Sequence, residues 1–257
     1  MTQLSRKELP NAQLTDPLRL QAMSNASIVV GGASGIGAAI AAAQTAAGRT
    51  VLVWDITPPY DIVCDVRDPK QVEAAMADTL ERLGVPDQVT ITAGVGSGGP
   101  LLDIEPDEWD RVMAVNTRGP WLAMRAAARA MIEAELPGSI VVTSSISSRL
   151  ADRIMGAYCS SKAALDMLVK VAAREWAPHG IRVNAVAPGV TDTPLLGGVP
   201  VETGWLKEVA SRTALGRIGQ PADIAEAVLA LHQLDWVTGH ILDCDGGLSL
   251  HSPIGPF

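Results

Sequence analysis

Ser27-Ile28-Val29-Val30-Gly31-Gly32-Ala33-Ser34-Gly35-Ile36-Gly37 is a short apolar run that leads directly into a glycine-rich turn. An alanine-rich helical stretch follows over residues 38–47, and a second apolar strand covers 51–55. Strand, glycine turn, helix and strand in this order are typical of a dinucleotide site, because glycines let the backbone approach a pyrophosphate at a helix N-terminus. The turn has the spacing Gly31-x-x-x-Gly35-x-Gly37, and a glycine cluster alone is also compatible with an ordinary tight turn.

Asp55 ends the second strand, where a carboxylate can accept hydrogen bonds from the adenosine 2′- and 3′-hydroxyls. The same charge would repel a 2′-phosphate, and neither Ser34 nor Ile56 supplies a compensating arginine. Arg49 precedes the strand, and we expect it to lie out of reach. The predicted cofactor is therefore NAD (NADH), preferred over NADP. The alternative is that Asp55 only caps a turn.

Apolar runs and helical patterns alternate through the rest of the chain. Further strands are predicted at 64–66, 89–94, 139–145, 181–187 and 239–243, and helices at 69–83, 106–133, 158–177 and 221–232. The nine residues between Asp55 and Asp65 are too few for the usual crossover helix. This order predicts an α/β fold with a single doubly wound parallel sheet, Rossmann-like, and helices on both faces. Residues 1–24 are predicted to be an N-terminal arm, and 25–257 one domain.

The predicted strand ends carry most of the polar and glycine motifs. They are the glycine turn from Gly31 to Gly37, Asp55, Ala93-Gly94, Ser145 and Pro188-Gly189. Ligands of such sheets bind at the carboxyl ends of the strands, so these motifs are expected to converge on one edge. Residues 191–212 are predicted to form an irregular, mobile lid over a bound substrate, and 249–257 a C-terminal tail.

Tyr158 and Lys162 lie four residues apart, so they share one face of a helix. The ammonium favours the phenolate and is expected to lower the pKa of the tyrosine. Ser145, at the end of the fifth strand, is expected to bind the oxygen that the tyrosine protonates. Together they predict a proton-handling site for a carbonyl or an alcohol. Spacing alone is also compatible with a solvated helix face, and the nucleotide turn favours the catalytic interpretation.

Asn116 lies just before Gly119-Pro120, which predicts a kink or a change of helix. Two interpretations of this asparagine remain open. It is either a hydrogen-bonded core residue or a group that holds a water or a carbonyl near Lys162.

Composition argues against several classes of protein. The net charge is −8 and no Lys/Arg-dense run is present, which argues against binding to nucleic acid. Three widely separated cysteines are typical of reduced thiols in a cytosolic protein. The four histidines lack metal-ligand spacing, so no metal is predicted. No signal core or membrane-length apolar run is present, so a soluble, cytoplasmic protein without a membrane partner is predicted.

From about Ser24 to Gly247 the chain resembles the short-chain dehydrogenase/reductase family. The motifs behind the resemblance are the glycine turn Val30-Gly31…Gly35-Ile36-Gly37, Asp65-Val66, Asn116, Ser145, Tyr158 with Lys162, and Pro188-Gly189…Thr193. Three features depart from the family pattern. Val30 replaces a threonine, Ile91-Thr92-Ala93-Gly94 stands for Asn-Asn-Ala-Gly, and the segment after Asp55 is short. The sheet-stabilising asparagines must therefore be compensated elsewhere.

The resemblance implies an oxidoreductase that interconverts a secondary alcohol and its ketone by direct hydride transfer. Tyr158 would be the general acid or base, and Lys162 would lower its pKa and bind the nicotinamide ribose. Ser145 would orient the substrate oxygen, and Asn116 would support a water relay to Lys162. The implied cofactor-binding residues are Gly31, Ser34, Gly35, Ile36, Gly37, Asp55, Asp65, Val66, Ala93, Gly94, Tyr158, Lys162, Pro188, Gly189, Thr191 and Thr193. The resemblance also implies a homotetramer assembled through the long helices 106–133 and 155–177 and through the C-terminal edge.

The predicted substrate pocket has walls at 96–99, 146–155 and 195–206, which are mainly apolar and suit a cyclic or steroid-like alcohol. Arg149 and Arg153 either pair with a substrate carboxylate or face solvent. Two alternative functions remain open: a sensor that binds NAD without chemistry, and an epimerase or dehydratase that retains the cofactor.

Overall fold

The computed structural model describes residues 25–197 and 204–250. Seven parallel strands form one sheet in the order β3-β2-β1-β4-β5-β6-β7. The strands are β1 (Ala26–Val30), β2 (Thr50–Asp55), β3 (Ile62–Val63), β4 (Gln88–Ile91), β5 (Gly138–Thr143), β6 (Ile181–Pro188) and β7 (Ile241–Cys244). The doubly wound parallel sheet is confirmed. The predicted arm, 1–24, lies outside the described residues, as do 198–203 of the lid and 251–257 of the tail.

Helices cover both faces of the sheet. They are α1 (Gly35–Ala46), α2 (Pro69–Leu83), α3 (Pro106–Met113), α4 (Gly119–Glu133), α5 (Gly156–Trp176), α6 (Pro194–Gly197), α7 (Trp205–Arg212) and α8 (Pro221–Gln233). A π-helical turn, Ala114–Arg118, joins α3 to α4, and 3₁₀ turns lie at Ile146–Ser148, Ala177–His179 and Leu248–Leu250. Among the described helices, none is long and apolar enough to cross a membrane.

The alternation of side chains along each buried strand divides the core into two layers. On β1, Ile28 and Val30 face one side of the sheet and pack in a cluster with α2, α4 and α5. Val29 faces the other side and packs in a cluster with Ile40 of α1 and Ile224 of α8. Both faces of the sheet are therefore buried, which explains why its strands are continuous apolar runs. Because all strands are parallel, their carboxyl ends meet at one edge.

Two predicted elements differ from the structure. The third strand was expected at 64–66 but lies at Ile62–Val63, where it pairs with Trp54 and Asp55. It ends early because Asp65 begins a turn, accepting hydrogen bonds from Arg67 N and Asp68 N. The lid region 191–212 was expected to be irregular, yet its described part contains the helices α6 and α7. The absence of a crossover helix between β2 and β3 is confirmed.

A buried histidine of α8 packs against strands β4 and β5 of the sheet. The ring nitrogens of His232 lie 2.9 Å from Thr90 Oγ1 and 2.9 Å from Ser139 Oγ. Burial lowers the pKa of His232 to about 3, and the charges of Arg182 and Arg49 act in the same direction. The imidazole is therefore neutral in the folded protein at ordinary pH.

This histidine predicts a loss of stability in acid. Its folded pKa lies below the unfolded value, so its contribution is complete above about pH 6.5 and is lost as the pH falls towards 3. The expected slope is at most about 1.4 kcal/mol per pH unit. Urea unfolding across this range measures it, with His232→Gln as the comparison. The variant is expected to be less stable at neutral pH but to have a shallower slope, and equal slopes would contradict the assignment.

Candidate active site

The glycine turn between β1 and α1 forms a cradle in which the backbone leaves no room for side chains. A Cβ on Gly37 would overlap the carbonyl oxygen of Gly31 and lie 2.6 Å from Thr92 Oγ1. A Cβ on Gly31 would lie 2.7 Å from Ala93 Cα, and Gly31 also has a φ of +80°. Ser34, the exposed N-cap of α1, makes no capping hydrogen bond with its side chain. The turn therefore presents backbone N–H groups and a hydroxyl at a helix N-terminus, which suits a phosphate.

Thr92 holds this turn against β4. Its hydroxyl lies 3.0 Å from Val30 O and 2.8 Å from Gly31 O, where it donates a shared hydrogen bond. The family pattern has an asparagine here. Compensation was expected elsewhere in the chain, but the Thr92 hydroxyl makes a bridging contact at the same position. Ala93 and Gly94 continue from this point, and Ala93 N donates to Val30 O.

Asp55 lies at the carboxyl end of β2, beside the glycine turn. Its Oδ2 accepts a hydrogen bond from Ala33 N at 3.0 Å. Its Oδ1 accepts from Ile56 N at 2.7 Å and from Thr57 N at 3.0 Å. The carboxylate thus caps a turn, as the alternative interpretation expected, and also braces the glycine turn. Arg49 instead binds Ser27, the Ala26 carbonyl and Asp87 at the opposite ends of the strands.

Asp65 and Val66 follow β3. Arg67 binds the carboxylate of Asp65 with its Nη2 at 2.6 Å, and this hydrogen bond lowers the pKa of Asp65. Val66 is buried and leaves no space for a side chain at Gly119, where a Cβ would lie 2.6 Å from Val66 Cγ2. These contacts fix the position of the pair at the nucleotide edge of the sheet.

The loop after β6 closes over the glycine turn. The buried Thr191 donates a hydrogen bond to Gly189 O at 3.0 Å, and the preceding Pro188 ends β6. A Cβ on Gly35 would lie 3.4 Å from Thr193 Cβ, so this loop and the turn are neighbours. The structure therefore brings the predicted nicotinamide loop and phosphate turn together.

Tyr158 and Ser145 meet at the end of β5. Burial raises the pKa of the Tyr158 phenol, a hydrogen bond with the Ser145 side chain opposes this, and the charges of Cys159 and Asp152 reinforce it. The pKa of Tyr158 is therefore raised, which corrects the expectation that the Lys162 ammonium would lower it. The physical reason is that loss of water around the phenol dominates. Ser145 Oγ also accepts a hydrogen bond from Ser147 N at 3.1 Å.

Lys162 is almost fully buried and donates a hydrogen bond from Nζ to Thr143 O at 2.8 Å. Its Nζ lies 5.8 Å from the centroid of the Tyr158 ring. Burial lowers the pKa of Lys162 to about 8, while the charge of Asp166 raises it. The ammonium therefore lies close to the phenol in a poorly solvated site.

Asn116 lies in the π-helical turn and is fully buried. Its side chain accepts a hydrogen bond from Val95 N at 2.8 Å and donates to Val95 O at 2.9 Å and to Ser161 Oγ at 3.1 Å. A Cβ on Gly94 would lie 3.5 Å from Asn116 Oδ1 and 3.6 Å from Lys162 Nζ. The side chain of Asn116 is thus hydrogen-bonded in the core, as the first interpretation expected. It also lies beside Lys162, as the second one expected.

Exposed apolar side chains lie on the loops next to the candidate site. Leu101, Leu150, Ile154 and Leu195 are all more than one third exposed. A Cβ on Gly96 would lie 3.7 Å from Leu195 Cδ1, and Gly99 N donates to Ile154 O at 2.7 Å. Loops from three parts of the chain therefore meet at this rim.

The two arginines whose role was left open, Arg149 and Arg153, both lie at the surface of the protein. Arg149 pairs with Asp243, and its Nη1 lies 3.7 Å from Asp166 Oδ2. Arg149 is exposed, so the solvent-facing alternative is confirmed for it, and two carboxylates of the chain also pair with its charge. Arg153 is exposed.

Sequence reasoning did not identify three polar groups around the site. Thr92 was noted only as a departure from a family pattern, whereas it ties the turn to the sheet. The Thr143 carbonyl that receives Lys162 carries no sequence signal. Asp166, one helical turn beyond Lys162, was a recognisable signal, because a charged residue interrupts the apolar stripe of α5. Among the described residues, no group of three or more His, Cys, Asp or Glu residues could hold a metal ion.

Comparison with known proteins gives consistent matches over nearly the whole chain. A family model described as enoyl-(acyl carrier protein) reductase matches residues 31–249. Cis-4-hydroxycyclohexanecarboxylate dehydrogenase of Sinomonas cyclohexanicum is 34% identical over 239 residues, covering 86% of this chain and 95% of that enzyme. Short-chain dehydrogenase reductase 3a of Arabidopsis thaliana is 36% identical over 247 residues, covering 89% and 96%.

Solved structures agree with these matches. Ligand-free aldohexose dehydrogenase of Thermoplasma acidophilum has a TM-score of 0.84 and 32% identity, covering 92% of this chain and 98% of its own. ElxO, solved with NADP bound, has a TM-score of 0.81 and 26% identity, covering 89% and 100%.

Proposed function

The chain belongs to the short-chain dehydrogenase/reductase family of oxidoreductases, and we propose that it uses NAD(H) to interconvert a secondary alcohol and its ketone. The observation that carries the proposal is the meeting of two groups of residues at one sheet edge. The glycine cradle lies after β1, and Ser145, Tyr158 and Lys162 lie at the end of β5 and the start of α5. A dinucleotide held by the cradle would extend along this edge towards the phenol.

The residues fit the cofactor because the cradle lacks space for side chains where a pyrophosphate would approach. The glycine turn and Ser34 would hold the phosphates, Asp55 the adenosine ribose, and Asp65 with Val66 the adenine. The loop after β6, together with Lys162, would hold the nicotinamide and its ribose. When bound, the nicotinamide supplies the hydride donor or acceptor.

The catalytic residues divide the proton chemistry among them. Burial raises the pKa of the Tyr158 phenol, so without bound ligands the tyrosine carries its proton. It is then ready to act as an acid in ketone reduction. Alcohol oxidation requires the phenolate, which the nearby Lys162 ammonium stabilises. Ser145, hydrogen-bonded to Tyr158, orients the substrate oxygen at the same point. Asn116 fixes the Val95 backbone beside Lys162 and supports proton exchange with water.

The apolar rim favours a cyclic or otherwise apolar alcohol as the small-molecule substrate. Arg149 is held by Asp166 and Asp243, so it is not available to a substrate carboxylate. The test is a panel of secondary alcohols followed by NADH absorbance, with cyclic, linear and carboxylated members of similar size. Cyclic alcohols are expected to give the largest kcat/KM, and a preference for carboxylated alcohols would contradict the substrate class.

Asp55 predicts the cofactor preference. Asp55→Asn removes the charge but keeps an oxygen for Ala33 N, so kcat/KM with NADP should rise about tenfold relative to NAD. The native enzyme should prefer NAD. The matched control is Asp61→Asn on the same connection, where the exposed carboxylate accepts from Val53 N and the ratio should stay unchanged. The structural neighbour ElxO was solved with NADP bound. A native enzyme of this chain that prefers NADP would contradict the assignment of Asp55.

The proposal extends to a cytoplasmic homotetramer that binds neither nucleic acid nor membranes. Trp121 and Met167 are partly exposed apolar residues on α4 and α5, the helices that the resemblance assigns to subunit contacts. Light scattering measures the assembly directly, and a monomer that turns over the substrate would contradict it.

A further inference from the structure

Asp166 is a buried carboxylate that the mechanism described above does not use. It lies on α5 one helical turn beyond Lys162, and only 7% of the residue is exposed. The hydroxyl of Ser144 donates a hydrogen bond to its Oδ1. Ser144 directly precedes Ser145, and its own N–H donates to Val186 O at 2.7 Å. Asp166 thus connects the helix that carries Tyr158 and Lys162 to the strand end that carries the catalytic serine.

Arg149 contacts the other carboxylate oxygen of Asp166. Its Nη1 lies 3.7 Å from Asp166 Oδ2, and its Nη2 pairs with Asp243 of β7. The Asp166 cluster is the group formed by Ser144, Arg149, Asp166 and Asp243. A buried carboxylate is costly unless it is paired and hydrogen-bonded, and the cluster supplies both partners. The fold therefore holds a negative charge next to the catalytic lysine at the cost of ordering a second ion pair.

The charges around this carboxylate come from three parts of the chain. Lys162 and Lys170 lie on its own helix, Arg149 on the loop after β5, and Asp243 on β7. The imidazole of His240 lies just before β7, and a cleft of about 490 Å³ opens to solvent there. Of these groups, Lys162 is the most deeply buried cation, with 3% exposure. Burial disfavours its ammonium, and the Asp166 charge acts in the opposite direction.

We propose that Asp166 is a positioning residue of the active site: its carboxylate anchors the Ser144-Ser145 strand end and is the counter-charge of the Lys162 ammonium. This assignment rests on the proposed role of Lys162. Without the counter-charge the lysine would lose its proton at a lower pH, and the phenolate of Tyr158 would lose its stabilising neighbour. Asp166 acts through these residues and does not touch the reacting atoms.

The first test measures the lysine directly and needs no substrate. The chain has five lysines, Lys7, Lys70, Lys162, Lys170 and Lys207, so protein labelled with ¹³C at the lysine ε-carbon gives few NMR resonances to titrate. Lys162→Met assigns the resonance of Lys162, which is expected to titrate near pH 8. In Asp166→Asn it should titrate at a lower pH, while Asp166→Glu restores the native midpoint. An unchanged midpoint in Asp166→Asn would overturn the proposal.

The second test separates this role from a structural one. In Asp166→Asn, kcat for alcohol oxidation should match the native value near pH 6, where Lys162 is protonated in both proteins. Above the lowered midpoint of the variant a smaller fraction of Lys162 keeps its proton than in the native enzyme, so kcat of the variant should be about one tenth of the native value at pH 9. A structural defect would lower kcat equally at all pH values, and that result would contradict the proposal. Asp243→Asn is the control, because it removes the outer carboxylate of the cluster and should leave the Lys162 midpoint unchanged.

The test holds even if a lone Asp166→Asn change unfolds the chain by leaving Arg149 without its buried partner. The double variant Arg149→Met/Asp166→Asn leaves neither charge of the pair, and its Lys162 resonance should still titrate below the native midpoint. If Lys162 of the double variant titrated with the native midpoint, the proposal would be overturned. Because the titration needs no turnover, failure of the proposed oxidoreductase activity would be seen separately in the substrate panel.

Discussion

Replacing Tyr158 with phenylalanine is expected to lower kcat for alcohol oxidation about 10³-fold, since a positioned acid or base typically contributes 10²- to 10⁴-fold. The change removes only the hydroxyl that meets Ser145 and keeps the ring beside Lys162. NADH affinity and the thermal unfolding midpoint should therefore stay close to the native values. In the native enzyme kcat for oxidation should rise with pH up to about pH 8, because burial raises the pKa of the phenol and the phenolate must form first. Above that pH the rise should become less steep, because Lys162 loses its proton.

The chain provides a matched control for this substitution. Tyr60 is its only other tyrosine, and it is 42% exposed on the connection between β2 and β3. Tyr60→Phe should leave kcat within about twofold of the native value, as is usual for surface substitutions. A Tyr158→Phe enzyme with native kcat would contradict the assigned role. So would an equal loss of activity in both variants, since that would point to a nonspecific effect.

Gly37→Ala is expected to abolish tight cofactor binding. The new Cβ would overlap the Gly31 carbonyl and crowd Thr92 Oγ1, and the backbone at Gly31 cannot move without displacing the turn. Such overpacking costs up to about 3 kcal/mol of stability. Relief of the clash must displace the turn that would hold the pyrophosphate, so the Kd for NADH should rise at least about 100-fold. Calorimetric titration with NADH measures the affinity, and urea unfolding measures the stability of the same variant.

Gly48→Ala is the matched control for this second substitution. Gly48 ends the same helix with a φ of +82°, and a Cβ there would meet nothing within 4 Å. It should cost about 1–2 kcal/mol of stability through backbone strain alone and leave the Kd for NADH unchanged. If Gly37→Ala bound NADH as tightly as Gly48→Ala, the glycine turn would not be the pyrophosphate site.

The fold was predictable from the sequence because its strongest signals are local. Buried parallel strands are continuous apolar runs, and the glycine turn marks the first of them. The third strand was misplaced by two residues because its limits depend on hydrogen bonds of the Asp65 turn, which composition does not reveal. Helices α6 and α7 were missed because glycines and prolines nearby predicted an irregular segment.

The sequence predicted which residues would lie together at the candidate site, but it did not predict their electrostatics. Tyr158, Lys162 and Ser145 were found from spacing and from their place at strand and helix ends. The pKa of Tyr158 depends on how much water the folded chain removes, so its direction was not accessible from spacing. The partners of Arg149 are equally nonlocal, since Asp243 lies 94 positions away in the chain.

The most direct test of the proposed activity follows the hydride itself. The native enzyme is incubated with NAD and a secondary alcohol that carries deuterium on the carbinol carbon, and the products are analysed by mass spectrometry. We expect a ketone and NADH that carries the deuterium, with neither formed by Tyr158→Phe at a comparable rate. Tight NADH binding without turnover of any alcohol would contradict it and favour a sensor. Product alcohol of inverted configuration or a dehydrated product, with NAD unchanged, would contradict it in favour of an epimerase or dehydratase.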